Sequence, residues 1–287
     1  MNDRSDSLLA KRGGCRSVGL CLFAVVVAMI TLASEADAAP VPVRFPEGLT
    51  HGFLLVRSAT GDIIGHGEIT QIVKEGGVAE SRLVFHFKDG SLHDEKVAFS
   101  QQRVFTLIRY QLTQRGPSFP EQMDVVVDRG TSSYHIRARS SDGTEKELAG
   151  DIDVPKDAYN GMIVTTLLNL PKGATETVNV LAFVPEPTAI ALELAFVGEQ
   201  VIRVGEQLRK ASQYVFKPDI GPVKKFFGTM LGKLPTDFHY DCYILADEVP
   251  GFVRFEGPLQ LMGPVLSIEL ISPQVTVKVE DEKHAPK

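Results

Sequence analysis

The feature that most constrains this chain is a succession of apolar runs, about 8 to 12 residues long, cut by turn residues from residue 49 onward. Such runs are typical of antiparallel hairpins, in which each strand pairs with its neighbour in sequence. Asp-Gly dipeptides stand at Asp89-Gly90 and Asp142-Gly143, and glycine supplies the positive φ that tight hairpin turns require. The pattern therefore predicts a mainly β protein.

Alternation of side-chain type places individual strands. Tyr134, Ile136 and Ala138 alternate with polar residues over 134–139, and every second residue is apolar from Ile190 to Phe196. A period of two is typical of strands with one buried face. Both segments are predicted to be half-buried strands.

Two segments follow a helical spacing instead. Pro155 to Leu170 places apolar side chains three and four residues apart and closes before Pro171, and Pro222 to Lys233 is a shorter amphipathic segment. Strands lie on both sides of each segment. We therefore expect a strongly curved antiparallel sheet or unclosed barrel, with the two short helices as plug or lid.

The chain divides into four parts. Residues 1–38 combine basic residues, an apolar run from Leu20 to Leu32 and a small-x-small cleavage site at Ala36-Asp37-Ala38, as in a secretory signal peptide. A Pro-rich leader is expected over 39–48, a single β-rich domain over 49–273, and a charged, mostly disordered tail over 274–287. The mature chain would keep 249 of the 287 residues.

These features predict an exported protein, periplasmic or secreted, with no transmembrane segment after signal removal. The uncharged stretch Ser17 to Ser34 falls just short of the roughly 20 residues of a spanning helix. The alternative, in which this stretch is retained as an anchor, stays open. Only Cys242 remains after cleavage, so the exported domain would have no internal disulfide to stabilise it.

The charge balance argues against nucleic acid as a partner. The formal net charge is −6, whereas binding to a phosphate backbone requires clustered Lys and Arg. The sequence also contains no Gly-x-Ser-x-Gly elbow, His-Glu-x-x-His or paired Cys-x-x-Cys. We therefore expect a non-enzymatic protein with no cofactor and no metal.

A gap on one strand is the best candidate ligand site. Gly65 and Gly67 are expected on the same buried face as Ile63 and Ile69, where missing side chains mean either a bend in the sheet or space for another group. In the second interpretation, a hydrophobic ligand contacts an apolar concave face. Its residues are Ile63, Gly65, Gly67, Ile69, Leu83, Phe85 and Phe87.

Histidines offer two weaker sites. A two-residue turn at Asp89-Gly90 would pair His86 with His93 and could place a metal between them, whereas a type I turn with a glycine bulge would pair Phe85 with His93. The second arrangement is preferred because it keeps the apolar residues of both strands on one face.

A hydrolase would use a histidine and carboxylate pair, either His239 with Asp241 or His93 with Glu95. Cys242 is expected on the face of its strand opposite His239 and is interpreted as a small buried hydrophobe. No nucleophile is therefore positioned by the sequence beside either histidine.

The segments together resemble a group of uncharacterised exported bacterial β-rich proteins. The resemblance covers the hairpins from Gly52 to Leu148, the helical segment 155–170, the strand through Tyr214-Val215-Phe216, and an ending with an aromatic strand, acidic turn, proline and basic strand over 241–255. This chain lacks the tryptophan often found in their closing strands. The shape implied is similar to the unclosed barrel of periplasmic lipoprotein carriers and lipid binders, and the resemblance carries no catalytic residues.

Three functions follow from these expectations. The first is binding of a lipid or other hydrophobic ligand by an exported envelope protein. The alternative is a structural or interaction module with a filled core and an envelope protein as partner. A hydrolase is the third and the weakest, since neither histidine pair has a nucleophile.

Overall fold

The computed structural model describes residues 40–204, 207–223, 239–247, 249–260 and 263–271. They form fourteen strands and one α-helix, with 3-10 turns at Glu75–Gly77 and Gly221–Val223. The elements in chain order are β1 (Thr50–Ser58), β2 (Ile63–Lys74), β3 (Val78–Phe87), β4 (Leu92–Gln101), β5 (Phe105–Arg115), β6 (Gln122–Asp128), β7 (Ser133–Arg139), β8 (Glu145–Asp151), α1 (Ile163–Asn169), β9 (Thr175–Phe183), β10 (Pro187–Val204), β11 (Gln207–Pro218), β12 (Tyr240–Leu245), β13 (Phe252–Gly257) and β14 (Leu266–Ile271).

All fourteen strands belong to one antiparallel sheet, which confirms the prediction of a mainly β protein. The order is β8-β7-β6-β5-β4-β3-β2-β1-β14-β13-β12-β11-β10-β9. Sequence neighbours pair throughout, except that β8 and β9 do not pair with each other. The pairing of β1 with β14 joins the two halves of the chain. The sheet is not closed into a barrel, and β8 and β9 are its two edges.

The turn between β3 and β4 determines which residue pairs with His93. Gly90 has a φ of 86°, and its N–H donates to the carbonyl oxygen of Phe87. The ladder then pairs Phe85 with His93. The bulged turn preferred from the sequence is confirmed, so His93 lies on the buried face and His86 on the opposite one.

The first predicted helix is shorter than expected, because α1 covers only 163–169. The segment before it is bound to β9 instead: the Tyr159 N–H donates to the Asn179 carbonyl oxygen, and the Asn179 N–H donates to that of Asp157. Gly161 then adopts a φ of 69°, which separates this segment from the helix. Tertiary pairing therefore overrides the helical pattern over 155–162.

The second predicted helix, Pro222 to Lys233, lies mostly outside the described residues. Only its first two residues are described, within the 3-10 turn that ends at Val223. The signal segment 1–38 and the tail 274–287 also lie outside the described residues. Among the described residues, no helix is long and apolar enough to cross a membrane.

The core is formed by the sheet packing against itself. The rings of Tyr110 on β5 and Phe183 on β9 stack with centroids 5.9 Å apart, although ten positions separate these strands in the sheet order. A flat sheet would separate them by about 48 Å. The sheet therefore bends until the inner faces of its two halves meet, with Leu107, Val125, Leu194 and Phe216 buried between them.

The leader at 40–48 packs against this domain. Val41 is buried, and its N–H donates to the Tyr159 hydroxyl over 2.8 Å. The N–H groups of Arg44 and Phe45 both donate to Asn169 Oδ1, at 2.8 and 2.7 Å. These bonds attach the leader to α1 and to the loop before it.

One edge of the sheet is capped by a side chain. Asn160 Nδ2 donates to the Leu181 carbonyl oxygen over 2.9 Å, and the Leu181 N–H donates to Asn160 Oδ1 over 2.7 Å. The amide thus pairs with both backbone groups of one β9 residue, as a neighbouring strand would. Unpaired strand edges invite association with other chains, so the cap protects this edge.

We expect Asn160→Ala to lower the free energy of unfolding by about 3 kcal/mol, because it leaves a buried N–H and a buried carbonyl without partners. Urea unfolding followed by circular dichroism measures this loss. Thr188→Ala removes one exposed side-chain hydrogen bond on the neighbouring strand and should cost less than about 1 kcal/mol. An equal loss in both variants would contradict the capping role.

Candidate functional site

A cavity of about 350 Å³, partly open to solvent, lies where the two halves of the sheet face each other. One wall comes from β5 and β6, the other from β9 to β13, and Asn160 and Ile163 lie beside it. Its apolar and aromatic lining residues are Tyr110, Leu112, Met123, Ile163, Val180, Leu181, Ala182, Phe183, Val184, Ile190, Leu192, Phe216, Pro218, Ile220, Val223, Tyr240, Phe255 and Leu259.

Strand alternation explains why this lining is mostly apolar. Tyr110, Leu112 and Gln114 are successive residues of one β5 face, and Val180 and Ala182 have the same relation on β9. Val180 and Ala182 are the smaller side chains in the β9 part of this lining. The volume is within the range of about 300 to 1,000 Å³ that is usual for small-molecule sites.

Three polar side chains of the wall, those of Gln114, Asn160 and Gln260, hydrogen-bond to the protein itself. Gln114 Nε2 lies 3.1 Å from the Leu259 carbonyl oxygen and 3.1 Å from His93 Nδ1. Asn160 bonds to the Leu181 backbone, and Gln260 Nε2 donates to the Glu121 carbonyl oxygen over 2.9 Å. Because these polar groups already have partners within the protein, hydrophobic contact is the main interaction that the walls offer to a ligand.

Glu95 and Tyr110 form a buried polar pair next to the cavity wall. The Tyr110 hydroxyl donates to Glu95 Oε1 over 2.8 Å. Burial raises the pKa of Glu95, and this effect outweighs the opposing effect of the hydrogen bond. Burial and the neighbouring carboxyl group raise the pKa of Tyr110 as well. Burial is therefore the main cause of the raised pKa of both groups.

The glycines predicted to leave a gap lie beside aromatic rings. A Cβ on Gly67 would overlap the Phe85 ring and lie 2.7 Å from the Val84 carbonyl oxygen, while one on Gly65 would lie 3.4 Å from the Phe87 ring. Phe85 is fully buried. In this structure the phenyl rings occupy the space that the glycine side chains leave.

The seven predicted ligand residues are brought together only in part. Gly65, Gly67, Ile69, Leu83, Phe85 and Phe87 lie in one region of β2 and β3, and none of the seven lines the interior cavity. Ile63 was wrongly placed on their face: it is 40% exposed, because a bulge shifts the register and Ile64 packs inward in its place.

The two predicted histidine and carboxylate pairs differ in environment. His239 Nε2 lies 3.4 Å from Asp241 Oδ2, and Gln213 Nε2 donates to Asp241 Oδ1 over 2.6 Å. Cys242 is fully buried, and burial raises the pKa of its thiol. A protonated thiol is a poor nucleophile. Glu95 bonds to Tyr110, and burial lowers the pKa of His93 to about 4.

Sequence reasoning missed the residues of the cavity wall on β9 to β13. Alternation of Val178, Val180 and Ala182 gives the face of β9, but it does not show which strand lies opposite. Among the described residues, no three His, Cys, Asp or Glu side chains lie close enough together to hold one metal ion.

Gly67→Ala should lower the free energy of unfolding by about 1 to 3 kcal/mol, because the new methyl group meets a filled core and the Val84 backbone. Gly48→Ala is the matched control, since a Cβ there would have no atom within 4 Å. Chemical denaturation of both variants measures the difference. A neutral Gly67→Ala would show instead that the space beside β2 is open.

Burial of neutral His93 should make stability depend on pH. Its pKa is 6.5 in the unfolded chain and about 4 in the folded one, so the unfolded chain takes up the proton first as the pH falls. The stabilisation is complete above pH 6.5 and is lost between pH 6.5 and 4, by about 3 kcal/mol in all.

The difference in unfolding free energy between the protein and His93→Gln isolates this effect from other titrating groups. It should shrink by about 3 kcal/mol from pH 7 to pH 4 in denaturant titrations. A constant difference over this interval would mean that His93 is not held neutral by burial.

Comparison with known proteins gives no relative from which a role could be transferred. No protein-family model, no curated protein and no solved structure matches this chain.

Proposed function

We propose that the protein binds a single-chain hydrophobic ligand, such as a fatty acid, in the interior cavity. The observation that carries this proposal is a volume of about 350 Å³ between apolar walls whose polar side chains Gln114, Asn160 and Gln260 bond to the protein backbone. The volume is near the lower end of the usual range for small-molecule sites, which favours one acyl chain over a two-chain lipid.

The energy of such binding comes from burial of the chain. Each methylene group transferred from water contributes about 0.8 kcal/mol, so a long acyl chain gains enough to offset the cost of association. No charged wall residue is needed for this gain. A ligand headgroup would stay toward the side-chain amide of Gln260, which is part of the cavity lining.

In this proposal the bent sheet acts as a half-barrel and α1 as its plug. Leu167 of α1 is buried in the core, and Ile163 at the start of the helix lines the cavity. The helix would therefore cover one side of the ligand without contributing chemistry. We further propose the periplasm or the extracellular space as the location, on the basis of the signal sequence.

The alternative of a structural module predicts a filled interior. The cavity between Tyr110, Val180 and Tyr240 favours the binding role over that alternative. A non-enzymatic role also agrees with the state of Cys242, because burial raises the pKa of its thiol. Partner proteins of the envelope remain part of the alternative, and they would bind outside the cavity.

The proposal is tested by filling the cavity. Ala182 lines it, whereas Ala189 on the paired strand β10 is exposed. We expect Ala182→Trp to weaken binding of a dansyl-labelled fatty acid at least tenfold, because the indole would occupy the ligand volume. Ala189→Trp should leave the affinity unchanged. Fluorescence titration of the full chain, purified without detergent, measures both.

Mass spectrometry of organic extracts from the same preparations gives an independent result. We expect a fatty acid or similar single-chain lipid with the protein and with Ala189→Trp, and little with Ala182→Trp. The proposal fails if no extract contains such a lipid and the dansyl probe does not bind. Equal binding by both variants would place the ligand elsewhere.

A further inference from the structure

Two histidines face each other on the outer surface of the sheet. His66 on β2 and His86 on β3 are direct partners in the antiparallel ladder. Both side chains are exposed, and their rings stack with centroids 5.6 Å apart and planes at 28°. The pair lies on the face opposite the buried Phe85 and Phe87.

This spacing suits a shared metal ion. A first-row divalent ion binds imidazole nitrogen at about 2.0 to 2.1 Å. Two imidazoles on one ion, at angles between tetrahedral and trigonal, then have centroids roughly 5 to 5.5 Å apart. The 5.6 Å separation is close to this range, and we expect rotation of the stacked side chains to direct one nitrogen of each ring to the ion.

The neighbours of the pair are apolar side chains and a carboxylate. In the ladder, His66 pairs with Leu55 of β1 on its other side, and His86 pairs with Leu92 of β4. Glu68, two residues after His66 on the same face of β2, carries a carboxylate whose Oε1 lies 2.5 Å from His51 Nε2. A nearby carboxylate favours a bound cation.

We propose that His66 and His86 form a binding site for a divalent transition-metal ion, with water completing its coordination. Angles near tetrahedral are those of Zn²⁺, and Cu²⁺, which the Irving–Williams order places above Zn²⁺ in affinity for imidazole nitrogen, serves as the spectroscopic probe of the same pair. The site is distinct from the interior cavity and does not depend on ligand binding there. Its place on the outer face keeps it accessible to ions in solution.

Titration of the full chain with Cu²⁺ tests the proposal. We expect His66→Asn and His86→Asn each to weaken binding at this site at least tenfold in isothermal titration calorimetry. The matched control is His135→Asn, which changes another exposed outer-face histidine, one that contacts Glu147, and should leave the affinity unchanged. All three positions are on the surface, so circular dichroism should show a folded protein in each case.

Electron paramagnetic resonance of the Cu²⁺ complex gives a second measurement. We expect splitting from two coordinated imidazole nitrogens in the protein and the loss of one of them in either single variant. Unchanged spectra and affinity in His66→Asn or His86→Asn would overturn the proposal. So would an equal loss in His135→Asn, which would indicate binding at scattered surface histidines.

Discussion

The described part of the chain depends on one constraint: within it, a single sheet of fourteen strands buries its apolar face with almost no second layer to cover it. The described residues include one α-helix of seven residues, too short to cover such a sheet. The inner face is therefore buried by bending the sheet until β5 and β9 touch, as the stacked rings of Tyr110 and Phe183 show. The pairing of β1 with β14 makes the bend possible, because it joins two hairpin arrays into one surface.

A bent sheet that does not close leaves two edges and an interior to fill. The edge at β9 is capped by Asn160, and the chain after β8 is held by Arg129, which donates to the carbonyl oxygens of Leu107, Val154 and Pro155. Burial lowers the pKa of this guanidinium. Its N–H groups nevertheless find three carbonyl oxygens as hydrogen-bond acceptors. The same segment that protects the edge also supplies Asn160 to the cavity wall.

Interior space is distributed unevenly along the sheet. At β2 and β3, large rings lie over glycines, so the small residues predicted to open a ligand site produce a packed cluster around Phe85. At β9, the small side chains of Val180 and Ala182 are part of the cavity lining. A small side chain creates a cavity only where no neighbouring strand fills the space.

The sequence by itself determined the local features: the strands, from the alternation of residues such as Tyr134, Ile136 and Ala138, and the bulged turn at Gly90, from the need to keep Phe85 and Val97 on one face. It failed where distant parts of the chain meet. Pairing with β9 replaced the predicted helical turns before Ile163. The ladder of β2 and β3 placed His86 opposite His66, whereas the sequence had suggested only His93 as a histidine partner of His86. Side-chain periodicity is encoded within a few residues, whereas register and the bend of the sheet depend on contacts across the whole chain. The tertiary structure alone therefore decided the position of the cavity and the facing histidines.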